Sequence, residues 1–93
     1  MNFIEGEDAR QEGAHAIGIR PEHFDVVSEG GRWRGQVVAS EHLGSDTFLR
    51  VKVEGVGLLM VRSSGEVAAR YGDEIGLNPN GRIYRFDDQG NAQ

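Results

Sequence analysis

Ile17-Gly18-Ile19-Arg20-Pro21-Glu22-His23-Phe24 is an apolar run stopped by a proline, and its reading sets the frame for the rest of the chain. Proline has no N–H to give a sheet ladder, so it fits the end or edge of a strand. It also pushes the residue before it, Arg20, toward extended geometry. The stretch therefore predicts a strand from His15 through Arg20, with Ile17 and Ile19 facing one way, and a turn around Glu22 and His23.

After this point the chain is a series of short alternating segments divided by Gly and Asp. Asp25-Val26-Val27 leads into a Ser-Glu-Gly-Gly turn. Arg32 to Leu43 reads as the longest strand, with Trp33, Gly35, Val37 and Ala39 on one face and Arg32, Arg34, Gln36 and Val38 on the other. Period two is the strand signal, and Gly35 inside it predicts a bulge or sharp bend. Thr47 to Glu54 alternates most clearly: Thr47, Leu49, Val51 and Val53 against Phe48, Arg50, Lys52 and Glu54. Gly55-Val56-Gly57 turns, and Leu58 to Arg62 returns as its hairpin partner. Ser63 to Tyr71 breaks the pattern. Ser63 and Glu66 have capping-box spacing, Val67 and Tyr71 stand at i and i+4, and Gly72 is placed to end a helical turn. Glu74 to Leu77 is a short strand, Asn78-Pro79-Asn80-Gly81 a turn, and Arg82 to Phe86 the last strand.

The sum is about six short strands, one helical turn and no βαβ unit. This predicts an all-β domain, a small OB-like antiparallel barrel that hides its sheet edges. Residues 14–88 make up that domain. Residues 1–13, acidic and glycine-containing after Phe3-Ile4, read as a poorly ordered leading arm, and 89–93 as a polar tail.

Composition narrows the functions. The chain has 93 residues, room for one small domain. It has no cysteine, so disulfides and thiolate chemistry are excluded. Fifteen acidic and ten basic residues give a net charge of -5, a field that does not attract nucleic acid over long range. No apolar run approaches the length of a membrane-spanning helix. The fourteen glycines lie between apolar runs, as turns in a β-rich domain do.

Catalytic patterns are not found. Lys52 is the one lysine, it sits in a strand, and no Gly-rich loop leads through Lys-Ser/Thr into a helix. His15, His23 and His42 lack metal-ligand spacing. Asp87-Asp88 and the acids from Glu5 to Asp8 read as solvated charge, and Ser40, Ser45, Ser63 and Ser64 have no base in a nucleophile arrangement. Arg32, Arg34, Gln36, Phe48, Arg50 and Lys52 share a predicted face of the kind OB-folds use for single strands. The acidic balance favours reading it as the solvated outside of a barrel.

The ordered motifs carry a resemblance. Ile17 to Phe24 resembles the GIRPEH signature in the C-terminal regulatory region of ATP-binding subunits of bacterial ABC importers of the maltose and glycerol-3-phosphate type. Gly35-Gln36-Val37, Glu41-His42-Leu43-Gly44, Asp46-Thr47, Val61-Arg62, Gly72-Asp73-Glu74-Ile75-Gly76-Leu77 and Phe86-Asp87 follow in the family's order. Met1-Asn2-Phe3-Ile4-Glu5-Gly6 is similar to the segment after the ATPase domain in these proteins. The resemblance implies a transport-associated OB (TOBE) domain with no catalysis of its own. It implies an ATPase domain upstream that holds ATP and magnesium, with residues 1–13 as the linker from it. The implied partners are a second copy of the ATP-binding subunit, membrane permease subunits, and a regulatory protein or metabolite, with no nucleic acid. The implied place is the cytoplasmic side of the inner membrane, peripheral to it. Matched residue by residue, it puts Glu41, Gly72, Gly76 and Phe86 in or behind a contact between appended domains. Arg20 and Glu22 belong to the signature and pair with each other or across that contact. Against this stand plainer readings: turn geometry for the two glycines and core packing for Phe86. An oxyanion- or metabolite-binding module and a single-strand binder are the alternative functions.

Overall fold

In the computed structural model, residues 1–65 and 67–93 are described, and they form eight strands, all paired antiparallel. In chain order they are β1 (Asn2–Glu5), β2 (Ala16–Ile19), β3 (Phe24–Val27), β4 (Trp33–Leu43), β5 (Asp46–Val53), β6 (Gly57–Ser64), β7 (Glu74–Pro79) and β8 (Tyr84–Phe86), with one helix, α1 (Glu7–Gln11), and a 3₁₀ turn at Pro21–His23. The large sheet runs β3-β7-β4-β5-β6 and the small one β1-β2-β8. The edge strand β6 packs against β3 and the 3₁₀ turn, so the large sheet curls toward closure. This is the small OB-like all-β domain that the alternation predicts.

The proline-stopped stretch behaves as read. Arg20 is extended (φ -69°, ψ 146°) and Pro21 opens the 3₁₀ turn, where its missing N–H costs nothing. Ile17 and Ile19 are fully buried. In β5, Thr47, Leu49, Val51 and Val53 point inward and Phe48, Arg50 and Lys52 outward. Leu49, Val51 and Val53 form one core with Ile4, Trp33, Val37, Leu59, Val61 and Leu77. Burial of each large aliphatic contributes about 1.5–3 kcal/mol. The Gly44-Ser45 loop joins β4 to β5, with Gly44 at φ 63°, the positive value a tight hairpin demands.

Three expectations are corrected. The segment 1–13 is not a poorly ordered arm. β1 pairs with β2 from Asn2↔Ile19 to Glu5↔Ala16, and Ile4 and Ala9 lie in the core. The strand pattern there is only four residues long and stops at Gly6 (φ 78°), which hides it from a periodicity reading. Second, the helix expected over 63–71 is not found among the described residues. Ser63 and Ser64 extend β6, Val67 to Arg70 have no regular structure, and Tyr71 is exposed; the capping partner Glu66 lies outside the described residues. Thr47 is the competing anchor. Its hydroxyl donates to the Gly65 carbonyl (2.8 Å) and accepts from the Val67 N–H (3.3 Å), holding this stretch along β5. Third, the bulge in β4 falls between Val37 and Ala39, not at Gly35. Val38 is the extra residue, so Ala39 changes face and pairs with Arg50. Gly35 instead permits close approach: it pairs with Val53 on one side and Ile75 on the other, and a Cβ there would stand 2.5 Å from the Lys52 carbonyl.

The last residues also fold back. Phe86 bridges to Ala92, and the Gln93 N–H donates to the Arg85 carbonyl at 2.9 Å.

Candidate functional site

The six residues singled out from the sequence fall in separate places. Arg20 follows β2 and turns to Tyr84 of β8, not to Glu22. Its guanidinium lies 5.6 Å from the Tyr84 ring centroid, and its Nε donates to the Tyr84 hydroxyl at 3.5 Å. That hydrogen bond holds the Arg20 pKa above its ordinary value and the Tyr84 pKa below its own, and Glu22 adds the smallest contribution to each. Glu22 itself stands exposed on the 3₁₀ turn.

Gly76 is buried between β3 and β4, paired with Val27 and Arg34. A Cβ there would run into the Gly30 carbonyl, because the Ser28–Gly31 turn folds down on β7. Arg34 holds that turn, donating to Gly30 O (2.7 Å) and Ser28 O (3.3 Å) while pairing with Glu74 (2.9 Å). Gly76 is therefore a packing residue. Gly72 is exposed at φ 92° with open space about its Cα. Its N–H donates to Val37 O (2.8 Å) and its carbonyl accepts from Gln36 (3.3 Å), so it prolongs the β4–β7 ladder. Its need for glycine is conformational.

Glu41 lies on the outer face of β4, where the bulge has moved Ala39, Glu41 and Leu43 beside Phe48 and Arg50 of β5. Met60 of β6 pairs with Arg50, and Leu58 with Lys52. The result is a groove of about 430 Å³ lined by Ala39, Glu41, Leu43, Phe48, Arg50 and Met60, among others. Leu43 is 53%, Leu58 52%, Met60 37% and Phe48 36% exposed, so four large apolar side chains share one open sheet face. Sequence reading placed Phe48, Arg50 and Lys52 on this face but missed its apolar members Leu43, Leu58 and Met60. The continuous run Leu58-Leu59-Met60-Val61 was the available signal, since an amphipathic strand would alternate. Of the predicted basic face, Arg34, Gln36, Phe48, Arg50 and Lys52 do lie together on the outward side of β4 and β5, with Gln36 paired to Lys52. Arg32 leaves it to stack on Trp33 (4.6 Å) and pair with Glu12 (3.1 Å), tying down α1. The acids there are thus partly anchoring groups: Arg32 also reaches the Asp8 carboxylate at 3.9 Å.

Phe86 lies on the outside of the small sheet, half-buried, 5.5 Å from Phe3. Among the described residues no cluster of three or more His, Asp or Glu could hold a metal ion, and no helix is long and apolar enough to cross a membrane.

Against this geometry, the TOBE domain family matches residues 17–82, from the buried Ile17 of β2 to the turn before β8. The chain belongs to the TOBE domain family. The match spans the whole large sheet of this TOBE domain, including the bulged β4 and the Glu41 face. Over 74 residues, 74% of the chain, it is 32% identical to the "Fe(3+) ions import ATP-binding protein FbpC 3" of Rhodococcus jostii (strain RHA1). It is equally similar to that organism's "Fe(3+) ions import ATP-binding protein FbpC 2". The matched segment is 21% of each relative, so this TOBE domain spans about a fifth of the length of the curated relatives it matches.

Proposed function

We propose that this TOBE domain is an appended regulatory and dimerisation domain of the ATP-binding subunit of an ABC importer. The observation that carries the proposal is the family match together with the 21% share: the chain corresponds to one domain-sized part of two ATP-binding relatives. ATP and magnesium then belong to the domain upstream, and this domain acts mechanically. A contact between two appended domains keeps their ATP-binding domains at high effective concentration, so closure on ATP does not wait for a fresh encounter. A ligand or protein favouring one arrangement would tune the cycle.

The face centred on Glu41, Leu43, Phe48 and Met60 is the one we assign to the second copy. It offers apolar surface with opposite charges, Glu41 and Arg50, side by side, which a two-fold contact can cross-pair. Gly72 and Gly76 serve the β4–β7 side of the same sheet, away from this face. The parent subunit would sit on the cytoplasmic side of the membrane against permease subunits.

The cargo class is open to a choice between two importer types. The motif order resembles sugar and glycerol-3-phosphate importers, whereas both relatives carry ferric-ion import in their names. The relatives favour a metal-ion importer. The test is the coding sequence upstream of Met1. A frame running back through a P-loop supports the proposal, and a frame encoding another kind of protein overturns it.

A further inference from the structure

We propose that Asn80 is a covalent modification site, where the Gly81 nitrogen closes on the Asn80 side chain and the product opens to aspartate or isoaspartate. The deprotonated Gly81 nitrogen attacks Cγ of Asn80, the Cγ–Nδ2 bond breaks, and Nδ2 leaves as ammonia. Water then opens the cyclic imide at either of its two carbonyls. Water is the one co-reactant, and nothing is oxidised or reduced. The chain has four asparagines, and the other three are poorly placed for this reaction. Asn2 is buried with both ends of its amide bonded. Asn78 precedes Pro79, which has no N–H to lose. Asn91 precedes Ala92, whose methyl group crowds the attack. Asn80 and Gly81 are both exposed, Gly81 has no Cβ, and no carbonyl among the described residues takes its N–H.

Two side chains make this more than a reactive dipeptide. His23 closes the proline-stopped stretch, and its carbonyl accepts the Asn80 N–H at 3.0 Å. Its ring lies against Gly81: a Cβ there would stand 2.7 Å from His23 Cγ and 3.0 Å from Nδ1. That Nδ1 is buried and has no hydrogen-bond partner. A neutral imidazole nitrogen in this position is a base for the Gly81 proton, and it can return that proton to the leaving nitrogen. Asp25 is the second. Its Oδ1 accepts from Asn80 Nδ2 at 2.6 Å, so a carboxylate stands beside the ammonium as it forms. The same contact makes the product unfavourable. Once Nδ2 is gone, two carboxylates face each other where one hydrogen bond had been. Pro79, the residue before Asn80, pairs with Phe24 in the last rung of the β3–β7 ladder. Modification therefore loosens that end of the sheet.

The test is peptide mapping by mass spectrometry of the full-length protein, held folded at neutral pH for several days. Asn80 should convert from amide to acid several-fold faster than Asn91 in the same molecules, giving both aspartate and isoaspartate. Conversion no faster than at Asn91 overturns the site. His23→Gln should slow Asn80 several-fold and leave Asn91 unchanged, while in urea the parent sequence and this variant should share one rate. A folded His23→Gln rate equal to the parent's overturns the role given to His23, as does a difference that persists in urea. Asn80→Asp reproduces one product. It should lower the denaturant midpoint, and adding Asp25→Asn, which restores a donor opposite the new carboxylate, should recover it. An Asn80→Asp midpoint equal to the parent's overturns the loosening.

Discussion

The side chain of Asn2 pairs with both backbone polar groups of Met60. Its Nδ2 donates to Met60 O at 2.8 Å and to Ile19 O at 3.2 Å, and its Oδ1 accepts from Met60 N–H at 2.7 Å. Met60 lies on β6, the edge of the large sheet, and Asn2 on β1, the edge of the small one. One amide thus supplies what a neighbouring strand would supply and joins the two sheets.

Asn2→Ala should destabilise the domain by about 1–3 kcal/mol, because it strands partly buried backbone groups. Asn2→Asp should also destabilise it, since a carboxylate accepts from Met60 N–H but cannot donate to the two carbonyls. Denaturant midpoints check this, and an Asn2→Ala midpoint equal to that of the parent sequence contradicts the bridge.

The two signature glycines should separate. Gly72→Ala costs about 1–2 kcal/mol, the penalty of a Cβ in left-handed backbone, with no new clash. Gly76→Ala sets a Cβ against the Gly30 carbonyl and should cost more, in the range of about 1–3 kcal/mol or beyond for overpacking that the backbone must absorb. Thermal unfolding of the two variants ranks them, and the reverse order would show that Gly76 is not held by the Ser28–Gly31 turn.

Thr47 is a buried hydroxyl with its one proton committed to Gly65 O, so the His42 Nδ1 at 3.0 Å is the donor in their contact. Thr47→Val keeps the shape and removes the hub. It should cost about 1–3 kcal/mol, while Thr47→Ser retains most of the stability. Equal losses in both would assign the effect to packing of the methyl group.

Tyr84 should ionise below the ordinary tyrosine range because the Arg20 guanidinium favours its phenolate. A depressed folded pKa adds stability that is fully present only above the unfolded value and is lost as pH falls through the folded one. The contribution therefore belongs to alkaline pH and leaves neutral stability unchanged. Ultraviolet titration of tyrosinate checks it: Arg20→Ala should move the Tyr84 transition upward, and Tyr84→Phe should remove it.

Much of the fold can be read in the sequence because period two survives wherever one face is buried: β5 and the first half of β4 alternate as their burial does. Three features are lost to that reading for physical reasons. A bulge at Val38 changes phase without any residue that marks it. The β1 pattern is short, and beside Ile4 it is anchored by Asn2, a polar residue that no hydrophobic count weighs. The stretch after Ser63 has local helix signals, but tertiary bonds to Thr47 outweigh them. Of the candidate contact residues, Glu41 and Phe86 lie on open faces, whereas Gly76 serves packing, a difference that only the approach of the Gly30 carbonyl reveals.

The central claim is that this domain holds two ATP-binding subunits together. The most direct measurement is the ATPase rate of the full-length subunit against protein concentration, with Phe48→Glu as the variant on the open face. We expect both to lose specific activity on dilution, the variant at concentrations several-fold higher than the parent subunit, with the two converging when concentrated. Superimposable dilution curves would contradict the account.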